Sequence, residues 1–219
     1  AAMGAYSGRP RESNGTMISE ADEFSMLDVS FSIQAGQIAR DNAFRLREAL
    51  CLKLPWLAAD HHAGIHPLKL VSGNEPLALL SARARLWLRV QRQRATELHL
   101  LSGADLDLGG QVIRLGAMQV RELIPHGTLY AYRVAANSED ESAFMTDAKQ
   151  SLVDQGVTCQ TICGRHHQID AGSGLQHVFS LMVHGLDAET SRHLQQSGLG
   201  PHRLLGCGLF VPHKSASAV

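Results

Sequence analysis

Two kinds of periodicity alternate along this chain, and they do so twice in the same order. That repeat is the strongest constraint on its fold. Residues 25–33 (SMLDVSFSI) place Leu27, Val29, Phe31 and Ile33 at every second position, the spacing of a strand with one apolar face. Asp41 is a candidate helix N-cap; Ala43, Leu46, Leu50 and Leu54 follow at helical spacing, and Pro55 ends the segment. A His- and Gly-rich loop covers residues 60–66, a short strand is expected over 68–71, and SGNEP is turn material. Residues 83–91 alternate cleanly, with Leu86, Leu88 and Val90 on one face and Arg85, Trp87 and Arg89 on the other. A short helix is expected over 92–101, then a hairpin turning at Gly109-Gly110.

The same order then begins again. Strands are expected over 128–135, 157–163, 177–184 and 208–212. Between them lie a helix carrying Phe144, Ala148 and Leu152 and a second helix running from Asp187 to a stop at Gly198. Each half reads β-α-β-β-α-β, the split βαβ order of a ferredoxin-like (RRM-like) domain. The expected architecture is therefore α+β: two tandem ferredoxin-like domains, 25–122 and 123–219, with a glycine-rich loop near the C-terminal end. Residues 1–24 are polar and aperiodic, and read as a flexible leader.

Composition narrows the partners. Hydrophobic residues make up 44 % of the 219, which supports a real core. Twenty Lys and Arg against 21 Asp and Glu give a net charge of −1, so a polyanion site must be local rather than a basic coat. Four scattered cysteines (Cys51, Cys159, Cys163 and Cys207) form no dense disulfide framework. With no apolar run of bilayer length and no signal sequence, the expectation is a soluble, cytoplasmic protein without a membrane partner.

The segment GLGPHRLLGCGLFVPHK (198–214) holds most of the remaining information. Gly198, Gly200, Gly206 and Gly208 free the backbone to turn or to approach another chain closely, and exposed N–H groups there can receive phosphate oxygens. His202, Arg203 and Lys214, with Arg192 on the preceding helix, add local polarity and positive charge. The plain alternative is a helix C-cap followed by a glycine bulge. The loop is neither a Walker motif nor a dinucleotide fingerprint, and no G-x-S-x-G elbow occurs in the chain.

Together with GIHPL (64–68) and SARARLWLRV (81–90), this loop resembles the repeat-associated mysterious protein superfamily of CRISPR systems, and more narrowly the Cas-six endoribonucleases that process precursor CRISPR RNA. The resemblance runs over about residues 25–214. It implies a cut without metal or cofactor: a 2′-hydroxyl attacks the adjacent phosphate and leaves a 2′,3′-cyclic phosphate and a 5′-hydroxyl. It also implies two partners, the repeat hairpin and the other subunits of a Cascade-type complex. In that family the base is usually a His on or just after the first helix. Here this points to His66 first, then His62 and His61. Pro67 restricts the backbone at His66, and Lys69 is placed to stabilise phosphate charge. Some relatives carry a Tyr in the first helix; here that helix has Phe44.

The face of Arg83, Arg85, Trp87 and Arg89 is a second candidate RNA surface, since guanidinium groups pair with phosphate and an indole stacks a base. Its plain alternative is a solvated outer face with the indole buried under a helix. Arg121 and Arg165 are further candidate backbone contacts. Cys159, Cys163, His166 and His167 are zinc-type ligands, but their spacing fits no standard closed site, and the cysteines read as small buried residues. Two rivals stand beside the nuclease: an RNA-binding subunit that does not cut, and a small-ligand module built of paired ferredoxin-like domains.

Overall fold

Burial along the first strand shows how the halves are arranged. The structure, a computed structural model, describes residues 25–81 and 83–214. Strand β1 (Met26–Gln34) buries Leu27, Val29 and Phe31 as the alternation requires. Its opposite face, Asp28 and Ser30, is buried as well. A strand closed on both sides lies between two layers, and here the second layer is the other half of the chain.

The N-terminal sheet has the order β3-β5-β1-β7-β6, with every neighbouring pair antiparallel. Its strands are β3 (Gly64–Ile65), β5 (Arg85–Gln91), β6 (Asp105–Asp107) and β7 (Val112–Glu122), besides β1. Helix α1 (Ala43–Lys53) covers the apolar face with Leu46, Ala49 and Leu50. The expected helix over 92–101 is a 3₁₀ run, Arg92–Leu101. Ala95, Leu98 and Leu101 are its buried positions, and a repeat of three matches the three-residue turn of that helix. A separate ribbon pairs β2 (Gln37–Ala39) with β4 (Leu77–Leu79).

Two expectations are corrected here. The strand predicted over 68–71 lies earlier, at Gly64–Ile65, leaving only a bridge from Leu70 to Leu80. The N-cap of α1 is Asn42. The Asp41 carboxylate instead accepts the backbone N–H of Asp170 at 2.7 Å, a contact between the halves.

The C-terminal sheet has the order β11-β8-β10-β9 and is also antiparallel. It comprises β8 (Thr128–Ala136), β9 (Gln160–Asp170), β10 (Leu175–His184) and β11 (Phe210–Pro212). Helices α2 (Glu141–Asp154) and α3 (Ala188–Ser197) start on the carboxylates of Asp140 and Asp187, which accept N–H groups of the first turn. Strand β9 starts later than expected and continues to Asp170, because β10 pairs with it through Leu175. The predicted leader falls outside the described residues.

The seam between the halves has its own small core of Ala43, Ile169, Val178, Leu205 and Cys207. Cys207 is fully buried, and burial pushes its thiol up to about 12, so it is a neutral packing group. Cys159 and Cys163 lie against the core of the C-terminal half. Among the described residues no helix is long and apolar enough to cross a membrane.

Candidate active site

The polar face of the N-terminal sheet forms one wall of a cleft of about 410 Å³. Asp28, Trp87 and Arg121 come from its strands, and His66, Pro67 and Lys69 from the segment after β3. The opposite wall comes from the C-terminal half through Tyr132, Gln195 and Val211, and the linker supplies His126. The cleft thus opens along the seam.

Register explains the grouping. Asp28 lies opposite Arg89 in the β1–β5 pairing and opposite Arg121 in the β1–β7 pairing. Oppositely charged cross-strand neighbours stabilise a sheet. The Arg89 guanidinium makes a two-point contact with Asp28, Nε to Oδ1 at 2.8 Å and Nη2 to Oδ2 at 2.9 Å. Its remaining nitrogen, Nη1, donates to the carbonyls of Gln195 and Phe210 in the other half. Burial raises the Asp28 carboxyl, but the contacts with His66 and Arg89 outweigh it and hold the group well below the ordinary carboxylate range.

His66 extends β3 by one position: its N–H donates to the Trp87 carbonyl at 2.9 Å. Only 7 % of the residue is exposed. Its Nε2 is sealed from solvent without a hydrogen-bond partner among the described residues, and stands 3.4 Å from Asp28 Oδ1. Burial pulls the imidazole below its ordinary pKa; Asp28 opposes that shift, while Arg89 and Arg203 reinforce it. The result is a neutral imidazole at the edge of a cleft that also carries Lys69 and Arg121. Lys69, three residues on, is exposed and lines the same cleft. The Arg121 guanidinium lies 4.4 Å above the Trp87 ring. Tyr132 is 44 % exposed, and partial burial pushes its hydroxyl up, so it stays protonated near neutral pH.

Several predicted site residues do other work. Arg89 is fully buried and all its donor groups are engaged, so it presents nothing to a polyanion. Arg203 is also occupied: Nε donates to the His62 carbonyl, and Nη1 and Nη2 to the last carbonyls of α3, Ser197 and Gln196. Burial pushes its pKa down to about 10.

The glycine loop is a close-packing device. The N–H groups of Gly198, Gly206 and Gly208 already donate to Leu194, Arg203 and Arg133 carbonyls. A Cβ at Gly208 would run into the Leu199 carbonyl, and one at Gly206 would stand 2.9 Å from the Pro67 ring. These three glycines therefore hold no N–H groups open for phosphate. The loop meets the segment carrying His66, but as a spacer that lets it seat.

Other predicted residues remain open to solvent. Arg83, Arg192, Gly200, His202 and Lys214 are exposed. Arg85 is half-buried, its Nε donating to Ser30 Oγ at 3.0 Å. His62 is exposed and does not line the cleft, while His61 and His202 line a separate hollow beside Arg47 and Pro201. Sequence reasoning passed over Asp28, His126 and Tyr132. The available signal was Asp28 itself, an acid on the non-apolar face of a strand whose partner strand carries Arg89.

A family model described as Cas6 Crispr matches residues 27–215. The chain belongs to the Cas6 family. It is 33 % identical over 194 residues to the CRISPR-associated endonuclease Cas6 of Myxococcus xanthus (strain DK1622), covering 88 % of this chain and 84 % of that one. Among solved structures, a CRISPR associated protein Cas6 superposes with a TM-score of 0.60 at 12 % identity, over 87 % of this chain and 100 % of its own. Thermus thermophilus Cse3, bound to an RNA representing a pre-cleavage complex, superposes with a TM-score of 0.50 at 13 % identity, over 86 % and 98 %. At these identities the structures speak for the Cas6 fold, a mixed α/β chain with antiparallel sheets.

Proposed function

We propose that this chain binds the repeat hairpin of precursor CRISPR RNA along the seam between its halves and cuts it there without a metal ion. One observation carries the reading. A buried, neutral His66 lines a cleft that also holds Lys69, Arg121 and Trp87. The 2′-hydroxyl beside the scissile phosphate gives its proton to His66 as the 2′-oxygen bonds to phosphorus. The bond from phosphorus to the 5′-oxygen breaks, and that oxygen takes up a proton. The products are a 2′,3′-cyclic phosphate and a 5′-hydroxyl, with no water consumed.

Lys69 offsets the charge that develops on the phosphorane. Tyr132 is the protonated hydroxyl on the facing wall and gives its proton to the leaving 5′-oxygen. The Nδ1 atom of His126 is engaged with Thr128. Trp87 and Arg121 offer a stacking surface for an unpaired base beside the cut. Arg83, Arg85, Arg192, His202 and Lys214 contact backbone farther out, with Gly200 allowing close approach.

The reaction class is supported by the relative named an endonuclease, and RNA binding by the Cse3 complex. The strand orders support reading 25–122 and 123–219 as two ferredoxin-like domains. We further assign the cut product to a Cascade-type assembly in the cytoplasm, where the four free thiols persist.

The test is cleavage of a 5′-labelled repeat RNA in excess EDTA, with the ends identified. The expected result is a single cut with a cyclic-phosphate end, lost in His66→Ala. Cleavage that requires a divalent cation, or a His66→Ala protein that cuts at the wild-type rate, overturns the mechanism. Binding without any cut makes the chain an RNA-binding subunit instead.

A further inference from the structure

One buried group at the site has no part in the chemistry above. Asp28 lies under the cleft, 2 % exposed, and cannot itself serve as a base: both oxygens are held by Arg89. Arg89 is fixed in turn by the carbonyls of Gln195 and Phe210. The carboxylate is therefore a rigid negative charge, and Oδ1 faces the sealed Nε2 of His66 at 3.4 Å. That separation lies outside good hydrogen-bond alignment, as is common for catalytic contacts in the absence of substrate.

Charge and tautomer follow from this placement. A proton on Nε2 points to Asp28; a proton on Nδ1 would instead set a bare Nε2 lone pair against a carboxylate. When His66 takes up a second proton, the cations around it oppose the new charge. Arg89 and Arg203 lie in the protein, and Lys69 and Arg121 line the cleft, as does the titratable ring of His126. Glu122 also lines it but is tied to Arg92 at 2.6 Å. Asp28 is thus the anion placed against the ring.

The geometry points to Asp28, clamped by Arg89, as the positioning residue of this site: it fixes His66 with its proton on Nε2, leaves Nδ1 to receive the 2′-hydroxyl proton, and neutralises the imidazolium that results. The inference rests on the reading of His66 as the base. It extends the orienting role of the carboxylate in a Ser-His-Asp triad to a ribonucleolytic imidazole. It also makes base competence depend on docking of the halves, since Arg89 is anchored in both.

Two measurements on the full chain test it. The first needs no RNA: the ¹⁵N shifts of the His66 imidazole at pH 7.5. The expected result is a proton on Nε2 and an unprotonated Nδ1; a proton on Nδ1 overturns the inference even if the wild type cleaves. The second is the pH profile of single-turnover cleavage of the repeat RNA in EDTA. Asp28→Asn alone strands a buried Arg89, so the informative protein is Asp28→Asn with Arg89→Gln. Its rate is expected to fall about 100-fold, with the rising limb displaced to lower pH and the His66 tautomer no longer fixed. A double variant that folds, cuts at the wild-type rate and keeps the wild-type limb overturns it. Loss of activity with an unmoved limb and tautomer makes Asp28 merely structural, which also overturns it. Wild-type protein that does not cut in EDTA counts against the proposed reaction, while the tautomer still decides the positioning.

Discussion

Asp28 and Arg89 lie opposite each other in the β1–β5 register, and the same guanidinium that grips the carboxylate also reaches the Phe210 carbonyl in the other half. A cross-strand ion pair and the docking of two sheets are thus made by one side chain. Arg89 is 0 % exposed and Asp28 2 %, so neither charge has water to fall back on. Such a pair adds little net stability when complete, but removing one member leaves the other uncompensated.

Arg89→Leu is therefore expected to destabilise the fold by about 3–5 kcal/mol. It strands Asp28 and leaves the Gln195 and Phe210 carbonyls without this donor. Arg89→Lys is expected to recover little, because an ammonium cannot reproduce the two-point grip. Urea unfolding followed by circular dichroism measures both. A loss below about 1 kcal/mol, the scale of a surface pair, contradicts the account.

Glycines of the C-terminal loop separate conformational strain from contact. Gly200 (φ +73°) and Gly208 (φ +69°) both adopt the left-handed region, yet a Cβ at Gly200 meets nothing while one at Gly208 meets the Leu199 backbone. Gly200→Ala is expected to cost about 1–2 kcal/mol, the strain alone. Gly208→Ala is expected to cost about 3 kcal/mol or more. Equal losses in the same urea experiment contradict the packing role.

These contrasts show what could be read from residues alone. Alternation placed Leu27, Val29 and Phe31, and Leu86, Leu88 and Val90, on buried faces, because a strand's period is fixed by its backbone. Alternation also grouped Arg85, Trp87 and Arg89, but it gives sidedness, not cover. Whether that face meets solvent depends on where a second sheet docks, and no local pattern encodes that. For the same reason the glycine loop read as open N–H groups, whereas its partners, Arg133 and Leu194, are distant in sequence or hidden in the preceding helix. The family resemblance points to a His in this loop, and Pro67 favours His66 among the three; nothing local points to Asp28, whose meaning comes from a neighbour 61 residues away.

Titration of two imidazoles, the buried His66 and the more exposed His167, sets a pH dependence of stability. His66 and His167 are both pulled below the ordinary His value, chiefly by burial. As pH falls below about 6.5, the unfolded chain takes up protons that the folded chain does not. Stability is therefore full above that point and declines below it until the folded imidazoles titrate. His66 contributes at most about 1.4 kcal/mol per pH unit, and solvent screening leaves the exposed His167 with less. His66→Gln is expected to remove part of the slope between pH 6.5 and 5, with His167 supplying the remainder. Urea midpoints at pH 7.5, 6.5 and 5.5 measure it, and an unchanged slope contradicts a depressed His66.

Salt separates the cations that face RNA from those that hold the fold. Lys69 and Arg121 line the cleft, whereas the donors of Arg203 are given to His62, Gln196 and Ser197 carbonyls. Each phosphate contact releases condensed counterions, so losing one reduces the dependence of log Kd on log salt by about 0.7–1. In a His66→Ala background, which leaves the RNA intact, Lys69→Gln and Arg121→Gln are each expected to reduce that slope by this amount for a labelled repeat hairpin. Arg121→Gln also loses the stack on Trp87, so its affinity at high salt falls more than that of Lys69→Gln. Arg203→Gln is expected to lower the unfolding midpoint and leave the slope unchanged. Fluorescence anisotropy from 50 to 400 mM KCl, a range of about eightfold that resolves a change of one in slope, makes the comparison. A shallower slope in Arg203→Gln, or an unaltered one in both cleft variants, puts the RNA on a different face of the protein.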